Sequence, residues 1–357
     1  MTNAIKSLFA KKEPVKIGHL TPLSGEYARY GVWESEGIDL AAARINKKGG
    51  INGQKVVIAR EDDRLDPVLS VVVFNKLIDT QKIQAAIGSP NSDVILADAA
   101  IAQTNKVVLI STAAGSPKIS FAGEYVFRIF PLTGQEGEKL VSVAEQRGYK
   151  NAAIIYINNQ YGLDLAKAVR RGAIERKIDI LGIEGYKKDI VDFCDQLGRI
   201  KEKNPSVVFL LGYPKDMGLI LRQAQELGIK CEYLASNTFG DPGIIAVAGK
   251  GAEGIIYVYP DEEYSPEFFK SFKKRYKKDP NIFNALGYDC LNLLALAIGK
   301  GGNNGTAIKD ELFKVKDYQG ASGIITFDKN GDAINRPLQL KTIKEGKAVP
   351  FVPNIDK

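Results

Sequence analysis

Residues 15–61 read VKIGHLTPLSGEYARYGVWESEGIDLAAARINKKGGINGQKVVIARE, and this stretch decides the fold. Val15–Leu20 is an almost continuous apolar run of strand length. The turn Thr21-Pro22-Leu23-Ser24-Gly25 follows, then an amphipathic helical pattern over Val32–Asn46 and a second β-branched run over Lys55–Glu61. Short apolar strands separated by one amphipathic helix suit a parallel pair, because strands buried on both faces lose the polar alternation of a half-exposed sheet.

The alternation continues on both sides of that unit. Helical patterns at Pro67–Thr80 and Asp93–Thr104 lead into the apolar runs Ala85–Gly88 and Val107–Ser111. After Pro131 the pattern restarts. Helices at Gly134–Arg147, Gly162–Arg176, Val191–Lys203 and Met217–Leu227 alternate with strands at Ala152–Ile157, Ile178–Glu184, Val207–Leu211 and Glu232–Ala235, and Gly254–Tyr259 closes the series. Beyond Pro260 come consecutive helices, Glu267–Lys278, Ile282–Ile298 and a short one around Thr306–Lys314. Two strands, Ile324–Phe327 and Leu338–Ile343, end the chain. The expected fold class is α/β: two doubly wound parallel-sheet lobes joined by a multi-strand hinge. Residues 14–131 with 261–336 form the first expected lobe, and 132–260 with 337–357 the second. Residues 1–13 stand apart, either disordered or foreign to the native chain. The chain is expected to cross near Phe130–Leu132, Tyr259–Asp261 and Asn335–Leu338, which suits lobes rotating about a fixed axis.

At 357 residues the chain has the length of two domains, with 45% hydrophobic and 25% charged residues and a net charge of +7 spread among both signs. The densest basic run, Lys273, Lys274, Arg275, Lys277 and Lys278, has acidic flanks and reads as the solvated face of a helix, with no nucleic-acid motif beside it. No run approaches 18 consecutive apolar residues. Met1–Glu13 lacks the apolar core of a secretory signal. Cys194, Cys231 and Cys290 are odd in number and form no Cys-x-x-Cys, so they read as buried free thiols.

Catalytic signatures are missing. His19 is the only histidine and lies in a strand run, where a structural role is expected. There is no Gly-x-Ser-x-Gly elbow, no phosphate loop and no dinucleotide fingerprint after the first strand. Asp62, Asp63 and Asp66 precede a helix starting near Pro67 and read as capping and solvating groups rather than cation ligands. No catalytic residue, metal or cofactor is expected.

Several stretches together resemble the type I periplasmic solute-binding proteins of ABC transporters, in the branch of the leucine/isoleucine/valine-binding protein. They are KIGHLTPLSGEYARYG, INKKGGINGQKV, EDDRLDP, IGSPNSDV, LISTAAGSP, NNQYGLDLA, GYPKDMG and ALGYDCLNLLALAI, in that order, covering about Val15 to Ile343. The resemblance implies a type I periplasmic-binding-protein-like fold, no enzymatic activity, and hinge closure over a small solute that is handed to ABC permease subunits in the membrane. It further implies a monomer without a nucleic-acid partner, located in the periplasm or at the cell surface, with the native signal absent from this chain.

The site follows from the same resemblance. In doubly wound sheets ligands sit beyond the carboxyl ends of strands. Ser92, in Ser89-Pro90-Asn91-Ser92, stands where a hydroxyl and helix amides would meet an anionic group, although the physics alone reads Ser92 equally well as a helix cap. Ala113, Ala114 and Gly115 belong to the loop after Val107–Ser111, with Ala113 offering backbone groups. Gly115 stands where amino-acid binders often carry threonine, whose hydroxyl Ser116 could replace. Tyr30, in the loop before the first helix, matches an aromatic lid, and Tyr161 and Tyr213 match tyrosines of the second lobe. Asn237 occupies a place where amino-acid binders often put a carboxylate against the ligand ammonium. Asp241 nearby reads either as its substitute or as an N-cap. Without that counter-charge, a carboxylate, an amide or an aromatic acid fits as well as a branched-chain or hydrophobic amino acid.

Two other classes compete. A metabolite sensor of the same fold, signalling to a protein partner, is favoured only by the missing secretory signal. An α/β enzyme using Asp62 and Asp63 would need turnover of a cleft ligand.

Overall fold

The computed structural model describes residues 12–353. All of the expected segment 1–13 except Lys12 and Glu13, and residues 354–357 of the expected second lobe, lie outside the described residues.

The chain opens with β1 (Val15–Thr21), α1 (Ala28–Lys47), β2 (Val56–Asp62), α2 (Pro67–Lys76), β3 (Ala85–Gly88), α3 (Ser92–Asn105), β4 (Val108–Ser111) and β5 (Val126–Arg128). It continues through α4 (Thr133–Gln146), β6 (Asn151–Ile157), α5 (Gln160–Glu175), β7 (Asp179–Tyr186), α6 (Cys194–Lys203), β8 (Val207–Leu211), α7 (Pro214–Glu226), β9 (Glu232–Ala235), α8 (Gly243–Ala248) and β10 (Ile256–Pro260). The last part holds α9 (Pro266–Tyr276), α10 (Ile282–Gly301), α11 (Gly305–Leu312), β11 (Tyr318–Gly320), β12 (Gly323–Ile325), β13 (Leu338–Lys344) and β14 (Lys347–Pro350).

These elements group into two compact units. The first holds the described residues up to Ala114 with Lys118–Phe130 and Glu262–Arg336, and the second holds Gly115–Pro117, Pro131–Asp261 and the described residues from Pro337 on. In the first, a wholly parallel sheet runs β2-β1-β3-β4-β5. In the second, the sheet runs β14-β13-β10-β9-β8-β6-β7, so its first five strands in chain order repeat the arrangement of the first unit's sheet. The doubly wound α/β class read from the sequence is the one found. One difference stands out. β13 joins β10 antiparallel and β14 joins β13 antiparallel, so the second sheet is mixed. A two-residue turn, Glu345-Gly346, both with positive φ, links β13 to β14 and can only reverse the chain, whereas a parallel return needs a crossover of about a dozen residues.

Local chemistry sets the helix starts. Asp66 caps α2 by accepting from Val68 N and Leu69 N, with Pro67 at the first helical position, so the capping role read for Asp66 holds. Asn281 and Asn284 form a reciprocal cap at α10. This helix is apolar and long enough to cross a membrane, yet most of it is buried as a core helix of the first unit. It approaches α1 closely. A Cβ at Gly37 would lie 1.9 Å from Asn284 O, and one at Gly287 would lie 2.5 Å from Glu34 O, so glycine is what lets these backbones meet.

The basic run behaves as read. Phe268 and Phe272 of α9 are buried, while Lys273 pairs with Asp279 and Lys278 with Glu36 at the surface. The cysteine reading needs correction: Cys290 is buried, Cys231 is half-buried and Cys194 is exposed. The helical pattern read from Val191 begins only at Cys194, which places its thiol in the first turn at the surface.

Candidate functional site

In a sheet of order β2-β1-β3-β4-β5 the connections leave β1 and β3 toward opposite faces, and the crevice beyond their carboxyl ends is the place ligands favour. The first unit puts Ser89–Ser92 after β3 and Thr112–Ala114 after β4 at that edge. Ser111 ties the two loops together: its Oγ donates to Ser89 O at 3.1 Å and accepts from Ala114 N at 3.2 Å. Arg128 adds a hydrogen bond from its guanidinium to Ala114 O at 3.3 Å. Ala113 is half-buried between them.

Asn91, not Ser92, caps α3, accepting from Asp93 N at 2.9 Å and Val94 N at 3.1 Å. The capping alternative for Ser92 is thereby removed. Ser92 occupies the first helical position and is buried. Tyr30 lies in the first turn of α1 rather than in the loop before it, because the helix starts at Ala28, ahead of the amphipathic pattern. Its ring packs edge-on against Trp33 at 5.3 Å and Phe283 at 4.9 Å, so it is part of an aromatic cluster.

Beneath these loops lies a buried polar network. Glu34 accepts from Thr21 Oγ1 at 2.6 Å and from Thr112 Oγ1. Burial pushes its carboxyl up to about 7 despite both hydroxyls. His19 is buried, its Nδ1 accepts from Arg60 Nε at 3.3 Å, and desolvation with the Arg60 charge lowers it to about 3. It is a neutral core imidazole, as read.

The second unit repeats the geometry with different side chains. β6 and β8 are the strands at its reversal point, flanked by β7 and β9. Tyr161 stands in the first turn of α5 after β6, Tyr213 precedes α7 after β8, and Asn237 follows β9. Their rings and amide come together. Tyr161 and Tyr213 are stacked, with centroids 6.3 Å apart and an interplanar angle of 4°. Asn237 Nδ2 donates to Tyr161 Oη at 3.0 Å. Asn159 fixes both tyrosines: its Oδ1 caps α5 through Gly162 N at 2.9 Å, and its Nδ2 donates to Tyr213 Oη at 2.9 Å. A Cβ at Gly162 would sit 2.1 Å from Ile157 O, so only glycine lets that first turn fold back onto β6.

At the centre is a residue the sequence reading missed. Glu136 of α4 is buried and accepts from Asn237 N at 2.6 Å, Asn237 Nδ2 at 2.8 Å and Tyr161 Oη at 3.2 Å. Burial raises its carboxyl to about 7, opposed by Asn237 and Tyr161. Because Tyr161 Oη accepts from Asn237, its proton is directed at Glu136. Burial likewise lifts the Tyr161 phenol well above its usual range, with Glu136 reinforcing it.

Three positions beside this centre have local partners. Asp241 accepts from Gly243 N at 2.7 Å, the capping alternative read for it. Ser116 donates to Asp164 and is not the spare hydroxyl expected beside Gly115. A Cβ at Gly115 would meet Thr133 Cγ2 at 3.2 Å, so Thr133 fills that space. The signal for Glu136 was an acidic residue on the buried face of an amphipathic helix, and that becomes specific only when Asn237 is seen across from it. Among the described residues no group of three or more acidic, histidine or cysteine side chains could hold a metal ion.

The family model described as periplasmic binding protein matches residues 14–348. The leucine-, isoleucine-, valine-, threonine- and alanine-binding protein of Pseudomonas aeruginosa is 27% identical over 329 residues, covering 90% of this chain and 88% of its own. Among solved structures, the leucine-binding protein LivK of Thermotoga maritima superposes with a TM-score of 0.88 at 28% identity, covering 95% of this chain and 98% of its own. The branched-chain amino acid transporter substrate-binding protein LivJ of Streptococcus pneumoniae, in complex with isoleucine, does so at 0.85 and 28%, covering 94% of this chain and 97% of its own.

Proposed function

The chain belongs to the periplasmic binding protein family, and from that premise we propose that it is the substrate-binding component of an ABC importer. It closes by hinge motion over a branched-chain or hydrophobic amino acid, or a related carboxylate, amide or aromatic acid, without transforming it. It acts as a monomer in the periplasm or at the cell surface and delivers the solute to permease subunits in the membrane. The observation that carries this reading is the constellation of Tyr161, Tyr213, Asn237 and Glu136 beyond the carboxyl ends of β6, β8 and β9. Buried polar groups assembled next to aromatic rings at a sheet's reversal point are the makings of a small-molecule site.

In this reading the solute first meets Ser92 and the backbone of Ala113 and Ala114, with Tyr30 and Gly115 shaping the surroundings. Contacts from Tyr161, Tyr213 and Asn237 are added on closure. Only contacts that differ between open and closed forms can shift that equilibrium. The names of the relatives, which bind leucine, isoleucine and valine, support the solute class.

The test is calorimetric titration of branched-chain and aromatic solutes into the wild type and into Ser92→Ala and Tyr161→Ala. Each substitution should weaken binding by about 10-fold or more, as expected for loss of one or two buried hydrogen bonds. Circular dichroism should stay unchanged. Unaltered affinity in both variants removes this site.

A further inference from the structure

Glu136 poses a problem of charge. Its two oxygens receive three hydrogen bonds, from Asn237 N, Asn237 Nδ2 and Tyr161 Oη. All three partners present protons. Asn237 N and Nδ2 can only donate, so two of the three contacts suit the carboxylate and not the acid. Yet no Lys, Arg or His among the described residues figures among the groups that act on its carboxyl, and it is buried. A buried carboxylate with donors but no cation is costly, and the cost falls when a cation arrives from outside.

A second observation lies one helical turn earlier. Thr133 is buried, and its Oγ1 has no hydrogen-bond partner among the described residues. Its methyl group fills the space beside Gly115, and its N–H donates to Gly115 O at 2.9 Å. An orphaned hydroxyl three residues from an unpaired buried carboxylate marks an incomplete polar site.

We propose that Glu136 is the counter-charge for a cationic group of the solute, so that the site selects an ammonium-bearing amino acid over the same molecule without its amine. The inference rests on the solute-binding reading above and narrows its ligand class. Asn237, neutral, then acts as a positioning residue: it holds the carboxylate through two hydrogen bonds instead of supplying the charge itself.

The test titrates L-leucine, L-isoleucine, L-valine and L-phenylalanine, and in parallel 4-methylpentanoate, 3-methylpentanoate, 3-methylbutanoate and 3-phenylpropanoate, into the unmodified protein and into Glu136→Gln. At least one amino acid should bind the wild type about 100-fold more tightly than its deaminated counterpart, and Glu136→Gln should lose about 100-fold for that amino acid alone. Deaminated acids should bind Glu136→Gln no worse than they bind the wild type, a pattern that a merely structural lesion would not produce. Equal wild-type affinity for an amino acid and its deaminated counterpart overturns the role of Glu136 and leaves the solute-binding reading standing. Undiminished amino-acid binding in Glu136→Gln overturns that role in the same way. Binding of no member of either series overturns both. The wild-type comparison decides the matter even if the variant does not fold.

Discussion

Replacing Arg128 by Met should destabilise the first unit by about 3–5 kcal/mol, the usual cost of breaking a buried ion pair from one side. The structure explains why the cost belongs at that end of the scale. Arg128 is fully buried on β5, and its Nε and Nη2 both donate to Asp332 Oδ1, at 3.0 Å and 2.5 Å. Its Nη2 also donates to Ser120 Oγ at 3.0 Å and its Nη1 to Ala114 O at 3.3 Å. Removal of the guanidinium leaves the Asp332 carboxylate buried with the Ser120 hydroxyl as its side-chain donor, and it also unties the loop that carries Ala113 and Ala114. The double replacement Arg128→Met with Asp332→Leu removes the stranded charge, so it should recover most of the loss and fall within about 2 kcal/mol of wild type. Urea unfolding followed through Trp33, the sole tryptophan and a residue of the first unit, reads this directly. A single-variant loss below about 1 kcal/mol would refute the reasoning, as would a double variant as unstable as the sum of its single parts.

Two further outcomes follow from the first unit. Gly37→Ala places a Cβ 1.9 Å from Asn284 O, so α1 and α10 must separate; a loss of at least about 2 kcal/mol in urea unfolding is expected, and a neutral result would contradict the close approach. Glu34, Asp63 and Asp98 are all held up to about 7 by burial, so the folded state binds protons that the unfolded chain releases near pH 4. Stability should therefore fall as pH rises through that window and reach its low plateau above about pH 8. His19, lowered to about 3, works the other way, but only below the ordinary histidine value near 6.5. Between about pH 6.5 and 8 the acids act alone, and Glu34→Gln should shrink the drop in urea midpoint across that interval. A midpoint that stays level or rises there would contradict the assignment.

Much of the architecture was legible because it is written in short-range terms. The apolar runs at Val15–Leu20 and Val207–Leu211 have the length and composition of strands buried on both faces. Asp66 before Pro67 could be recognised as a helix start without any tertiary knowledge. The antiparallel edge formed by β13 and β14 was not legible, because pairing direction is set by what lies alongside and not by the strand's own residues. Tyr161, Tyr213 and Asn237 could be singled out through family likeness, and they do converge. Ser92 could not be separated from a cap until Asn91 was seen making those hydrogen bonds.

By itself, then, the order of residues determined the alternation of strand and helix and the restart after Pro131, since hydrophobic periodicity and caps act over a few positions. Only the folded chain decided where charge resides. Glu136 and Asn237 are 101 positions apart, and nothing local tells a buried acid on an amphipathic helix from a solvated one. Burial and donor geometry are properties of what surrounds a group in space, and here they set a carboxylate from α4 against Tyr161 and Asn237.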